Sequence, residues 1–143
     1  MSPWHILLLF TALFTVEILA MRKQGVAVRG KLMCGKVAAA NNTKVRIVDI
    51  DTGPDPDDTL DEAFVGSDGS FELNGWTREL TSIDPVLYIW HDCADGNTPC
   101  QRKVTLVIPK KFIHNGSPTA EQWVDLGVLN LEAQFEHEDR QCI

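Results

Sequence analysis

The sequence predicts an all-β fold, a sandwich of about seven or eight short antiparallel strands, on three observations. Apolar residues recur with period two along most of the chain. Turn-forming residues interrupt these runs every ~8–14 positions. The chain also carries four cysteines, Cys34, Cys93, Cys100 and Cys142, an even number that suits a disulfide framework.

The first twenty residues stand apart. They contain no lysine or arginine, and Ile6 to Val16 is almost unbroken apolar sequence. That run is too short to span a bilayer and matches the apolar centre of a secretory signal peptide. Residues 1–20 are therefore read as a leader cleaved near Ala20, and residues 21–143 as one domain. No linker, heptad or internal repeat divides that domain.

Val26, Val28 and Leu32 alternate with Ala27, Arg29 and Lys31, which predicts a first strand ending near Cys34. Asn41-Asn42 is a turn signal. Val45, Ile47, Val48 and Ile50 form a second strand, with a bulge where the apolar phase changes between Ile47 and Val48. Phe64-Val65 and Phe71–Leu73 flank Asp68-Gly69, a hairpin signal. Residues 76–84 lack a period and are read as irregular. Val86 to Trp90 is apolar on both faces and reads as a central strand. Lys103 to Ile108 is its expected partner, stopped by Pro109, which has no N–H to donate to a ladder. Trp123–Leu126 and Val128–Leu131 give two last strands or one bent hairpin around Gly127. The charged tail is tethered through Cys142.

Four cysteines allow three connectivities. Gly96, Asn97 and Pro99 let the segment between Cys93 and Cys100 bend, which favours Cys93–Cys100 and leaves Cys34–Cys142. A zinc site on His91, Cys93 and Cys100 is the weaker alternative, because the tight spacing of zinc-binding cysteine pairs is absent.

The chain has 20 acidic against 13 basic side chains and a formal net charge of −7. Such a balance disfavours nucleic acid as a partner. The segment from Asp49 to Glu62 is the most conspicuous polar feature. Asp51, Asp55, Asp57 and Asp58, with Asp61, offer oxygen ligands of the kind calcium takes, but the spacing is not that of an EF-hand. Solvated aspartates making local turns are the plainer reading, and no metal or cofactor is assigned. Arg102, Lys103, Lys110 and Lys111 concentrate positive charge on one strand and the loop after it, a candidate contact for an acidic receptor or an anionic head group. Asn41-Asn42-Thr43 and Asn115-Gly116-Ser117 are glycosylation sequons, so Asn41 and Asn115 are candidate attachment sites. His91-Asp92 does not form a catalytic pair, since strand neighbours point to opposite faces. No nucleophile with its base can be assembled from the sequence motifs.

Several segments in order resemble the nematode transthyretin-like family: Arg29-Gly30-Lys31-Leu32-Met33-Cys34, Val45 through Gly75 with its Asp-Thr-Gly-Pro-Asp-Pro-Asp-Asp and Ser-Asp-Gly-Ser-Phe, Ile83 through Cys93, Pro99 through Pro109, and Gly127 through Cys142. Phe112 departs from the tyrosine usual there. The resemblance implies a transthyretin-like Greek-key β-sandwich, secretion, and four half-cystines. It further implies a non-enzymatic extracellular binding or adaptor protein whose partner is a protein receptor or the anionic phospholipid of a dying cell. A carrier of a small apolar ligand is the alternative, and the oligomeric state stays open. The related hydroxyisourate hydrolases need an early histidine and a C-terminal Tyr-Arg-Gly-Ser. After the leader this chain has no histidine before His91 and it ends Arg140-Gln141-Cys142-Ile143.

Overall fold

The computed structural model describes residues 2–8, 21–51 and 56–143. Most of the expected leader, its cleavage point at Ala20, and Asp55 lie outside the described residues. No helix among the described residues is long and apolar enough to cross a membrane.

Among the described residues nine strands form two sheets. In the first sheet β1 (Arg22–Cys34) is central. It pairs antiparallel with β2 (Val37–Ala38) and with β5 (Ser70–Glu79), and parallel with β8 (Trp123–Asn130). The second sheet runs β4 (Asp58–Phe64), β3 (Lys44–Asp49), β6 (Pro85–His91), β7 (Gln101–Val107), β9 (Glu138–Gln141), antiparallel throughout. The β1–β8 pair corrects the expectation of antiparallel pairing everywhere. The chain leaves β7 in one sheet and crosses through residues 108–122 to the other, where β8 docks beside β1, a strand from the start of the domain to which no tight hairpin ties it, so the pair is free to run parallel.

Period-two alternation builds the core. Val26, Val28 and Leu32 of β1 and Phe71 and Leu73 of β5 face Val45 and Ile47 of β3, Leu87 and Ile89 of β6 and Val104 of β7. Each fully buried side chain of this size contributes ~1.5–3 kcal/mol relative to exposure. β6 is buried on both faces, as its unbroken apolar run predicts. The β3–β4 register shifts between Ile47 and Val48, at the predicted bulge.

Four other readings change. Residues 76–79, expected to be irregular, continue β5, because Arg22–Gly25 of β1 extends to pair with them. Asp68-Gly69 does make a tight turn, with Gly69 at φ 81°, but no hairpin. β4 pairs with β3 and β5 with β1, so this turn carries the chain from one sheet to the other. The two segments around Gly127 are one strand, β8, bent where Gly127 takes φ 62°. The tail adds a strand, β9, to the edge of β7.

The disulfides are Cys34–Cys93 and Cys100–Cys142, not Cys93–Cys100 with Cys34–Cys142. Cys34 ends β1 and Cys93 lies just past β6, so their Cα atoms come within 5.7 Å and the bridge joins the two sheets. The Gln101↔Gln141 pairing of β7 with β9 sets Cys100 beside Cys142. Sheet register thus outweighs closeness in sequence.

Candidate binding surfaces

Arg102 is not a surface contact. Strand alternation turns it inward, where it is 8% exposed, and Lys103 outward. Its guanidinium forms a two-pronged pair with Glu138 on β9, Nε to Oε1 at 2.5 Å and Nη2 to Oε2 at 2.9 Å. The remaining N–H groups donate to the carbonyls of Cys93, Leu131 and Ala133 at 2.8, 3.0 and 2.8 Å. All five donors are used, so none is left for a ligand. Arg102 ties the end of β6, the residues after β8, and β9 into one junction. Hydrogen bonding from Arg102 holds the Glu138 carboxyl below its ordinary range.

The other cations of that group separate. Lys103 lies on the outer face of the second sheet, its ammonium 3.9 Å from the Tyr88 ring centroid. Arg46 covers Trp90 at 5.0 Å on the same face, and Trp90 donates to Gln141. Lys111 sits over Phe112. Lys110 pairs with Asp84 at 3.1 Å and turns toward the far end of the first sheet. There it shares a cleft of about 560 Å³ with Arg22 and Lys23 of β1, beside Gln24, His114 and Asn115. Lys23 also lies 4.3 Å over the ring of Trp76, which is 52% exposed and has Arg78 on it as well. Arg22, Lys23 and Trp76 were not singled out by sequence. Adjacent basic residues at the predicted leader boundary carry no periodic signal, and only the β1–β5 register brings Trp76 beside them.

The acidic segment divides as well. Asp58 and Asp61 belong to β4, while Asp51 and Asp57 precede it. Asp51 and Asp58 come together with Asp49 and with Glu79 from the end of β5, with one carboxylate oxygen of each lying within 4.8 Å of the others. Asp49 is 3% exposed and accepts from the Asp84 N–H at 2.8 Å. Burial raises its carboxyl, and the neighbouring carboxylates Asp84, Asp58 and Asp57 push it in the same direction against that hydrogen bond. Glu79 is raised by burial and by Asp49, Asp51 and Asp58. Crowded anions are thus the local electrostatic state. Asp61 has a structural role, its carboxylate accepting from the Asn74 N–H on β5.

A family model of the transthyretin-like family, TTR-52, matches residues 29–109. The chain belongs to the transthyretin-like family. Among its relatives in Caenorhabditis elegans, transthyretin-like protein 46 is 47% identical over 87% of this chain and 69% of its own length. Transthyretin-like protein 33 is 47% identical over 87% of this chain and 85% of its own. Transthyretin-like protein 5 is 43% identical over 84% and 85%. The two-sheet, two-disulfide architecture is therefore that of a transthyretin-like member. Arg22, Lys23 and Lys110 fall outside the matched segment, so family membership alone says nothing of the basic cleft.

One buried group of this transthyretin-like domain sets its behaviour in acid. His91 is 2% exposed, and its Nδ1 accepts from the Cys93 N–H at 3.0 Å. The ring is therefore neutral with its proton on Nε2, which has no hydrogen-bond partner. Burial, and then the Arg102 cation, lower its pKa from 6.5 to about 4. Between those values the unfolded chain takes up a proton that the folded chain refuses. Stability therefore falls as pH drops from 6.5 toward 4, and His91 adds no further loss below that. The expected loss is about 2–3 kcal/mol. Urea midpoints measured across this range check it, and His91→Gln should flatten the slope.

Both sequon asparagines, Asn41 and Asn115, are exposed, and Thr43 of the first sequon is buried. Asn115 borders the basic cleft.

Proposed function

We propose that the chain is an exported, non-catalytic binding protein that attaches to an anionic cell surface, with phospholipid head groups as the ligand, through the cleft between Arg22, Lys23 and Lys110. Family membership and two disulfides support an extracellular binding role. The observation that carries the finer reading is the meeting of Arg22, Lys23 and Lys110 at one cleft on a chain of net charge −7, with half-exposed Trp76 stacked against Lys23. Juxtaposed cations attract an anionic head group, and an exposed indole suits the membrane–water interface. The predicted contacts at Lys110 fit this reading. Arg102, saturated by internal partners, has no part in it.

Cosedimentation of the secreted, disulfide-bonded chain with phosphatidylserine-containing and with pure phosphatidylcholine vesicles tests the proposal. Binding is expected only to the former, and Arg22→Glu with Lys23→Glu should weaken it at least ~10-fold, at about 1 kcal/mol per basic residue removed and more on reversal. Equal binding to both vesicle types, or none to either, would sink it.

A further inference from the structure

The outer face of the second sheet closes in an apolar recess for which the basic cleft has no use. It measures about 470 Å³ and is walled by Ile50, Pro85, Val86, Val107, Ile108 and Pro109. Val86 and Val107 are cross-strand partners on the outward side of β6 and β7. Val107 is 70% exposed although it sits at the end of a sheet strand. The recess is continuous, past Ile50, Val86 and Val107, with a second hollow of about 480 Å³ whose far bank carries Glu136 and Asp139.

The rim is acidic. Glu136 and Asp139 line the adjoining hollow, whereas the cluster of Asp49, Asp51, Asp58 and Glu79 lies at the end of the sandwich between the two sheets and lines neither. Asp84 lines the recess itself, together with its ion-pair partner Lys110. Asp57 and Asp139 approach the same face from opposite edges, since both act on the Tyr88 hydroxyl, which burial already raises.

We propose that this recess docks a cationic amphipathic segment of a partner polypeptide, one apolar side chain filling the space beside Val86 and Val107 and flanking lysines or arginines meeting the carboxylates around it. An anionic membrane would be repelled by this rim. A neutral small molecule would leave the carboxylates uncompensated. A second copy of the chain brings its own net charge of −7 against them. The inference goes beyond the anionic-surface reading and does not rest on it. Lys110 lines both the recess and the basic cleft, which otherwise have no lining residue in common.

The probe is a capped, dye-labelled pentapeptide with one leucine between two pairs of lysines. Its controls carry serine for the leucine, or glutamates for the lysines. Fluorescence anisotropy with the full secreted chain should show the lysine–leucine peptide binding at least ~10-fold more tightly than either control. Methyl NMR shifts should centre on Ile50, Val86 and Val107. Val107→Asp, at an exposed position that the fold tolerates, should weaken binding ~10-fold or more although it adds a negative charge. Arg22→Glu with Lys23→Glu should leave peptide binding intact, which separates failure here from failure of the vesicle experiment. Four results would each overturn the proposal: unchanged or tighter binding by Val107→Asp, equal binding of the serine peptide, a neutral apolar dye that displaces the peptide and binds more tightly, or a dimer in sedimentation that Val107→Asp dissolves.

Discussion

Replacing Arg102 by methionine should cost about 3–5 kcal/mol, a large part of the ~5–15 kcal/mol expected of a domain this size. The substitution leaves Glu138 in a nearly water-free position without its partner and strips donors from the carbonyls of Cys93, Leu131 and Ala133. An uncompensated buried carboxylate is the expensive consequence, more than the lost ion pair itself. Arg102→Met combined with Glu138→Leu should therefore recover part of the loss, because it removes the orphan charge. Arg102→Lys keeps the charge but has too few donors and the wrong geometry for a two-pronged pair, and should fall between. Urea unfolding of the three variants checks this order. A loss below ~1 kcal/mol for Arg102→Met would mean that the junction is as wet as an exposed ion pair.

Cys34→Ala with Cys93→Ala should cost about 4 kcal/mol, since the bridge closes a loop with a sequence separation of 59. Cys100→Ala with Cys142→Ala closes a separation of 42, and the chain-entropy argument gives it nearly the same value. Location separates the two. The first bridge joins the ends of strands in different sheets, so its loss should lower the urea midpoint of the whole domain. The second secures β9, a four-residue edge strand. Its loss should first free that strand, and hydrogen exchange should speed up at Gln101–Val104, where β7 pairs with it. Proteolytic peptide maps should recover Cys34–Cys93 and Cys100–Cys142. Recovery of Cys93 linked to Cys100 would refute the pairing and the β7–β9 register together.

Much of the fold was legible because it depends on local period. Val26, Val28 and Leu32, Val45 and Ile47, and Leu87 and Ile89 mark inward faces by alternation alone. The unbroken run at Val86–Trp90 announces a strand covered on both sides, and Pro109 marks where β7 must stop. The phase change at Ile47–Val48 foretells a bulge because a pleated strand can change faces only by inserting a residue. The surfaces were much less legible. Arg102 and Lys103 look alike in sequence, yet pleating sends one inward and the other outward, and the partner that claims Arg102, Glu138, lies 36 positions away. Asp49 and Glu79 come together from strands of different sheets.

By itself, then, the sequence determined where most of the core strands lie, which of their faces are apolar, and that the chain is a disulfide-bonded β-sandwich of the transthyretin-like family. Only the tertiary structure decided how the cysteines pair, that Asp68-Gly69 links two sheets instead of closing a hairpin, and which charged residues remain free to meet a partner. Alternation is written in neighbouring residues. Pairing, burial and charge neutralisation depend on strand order, which places residues far apart in sequence within hydrogen-bonding reach.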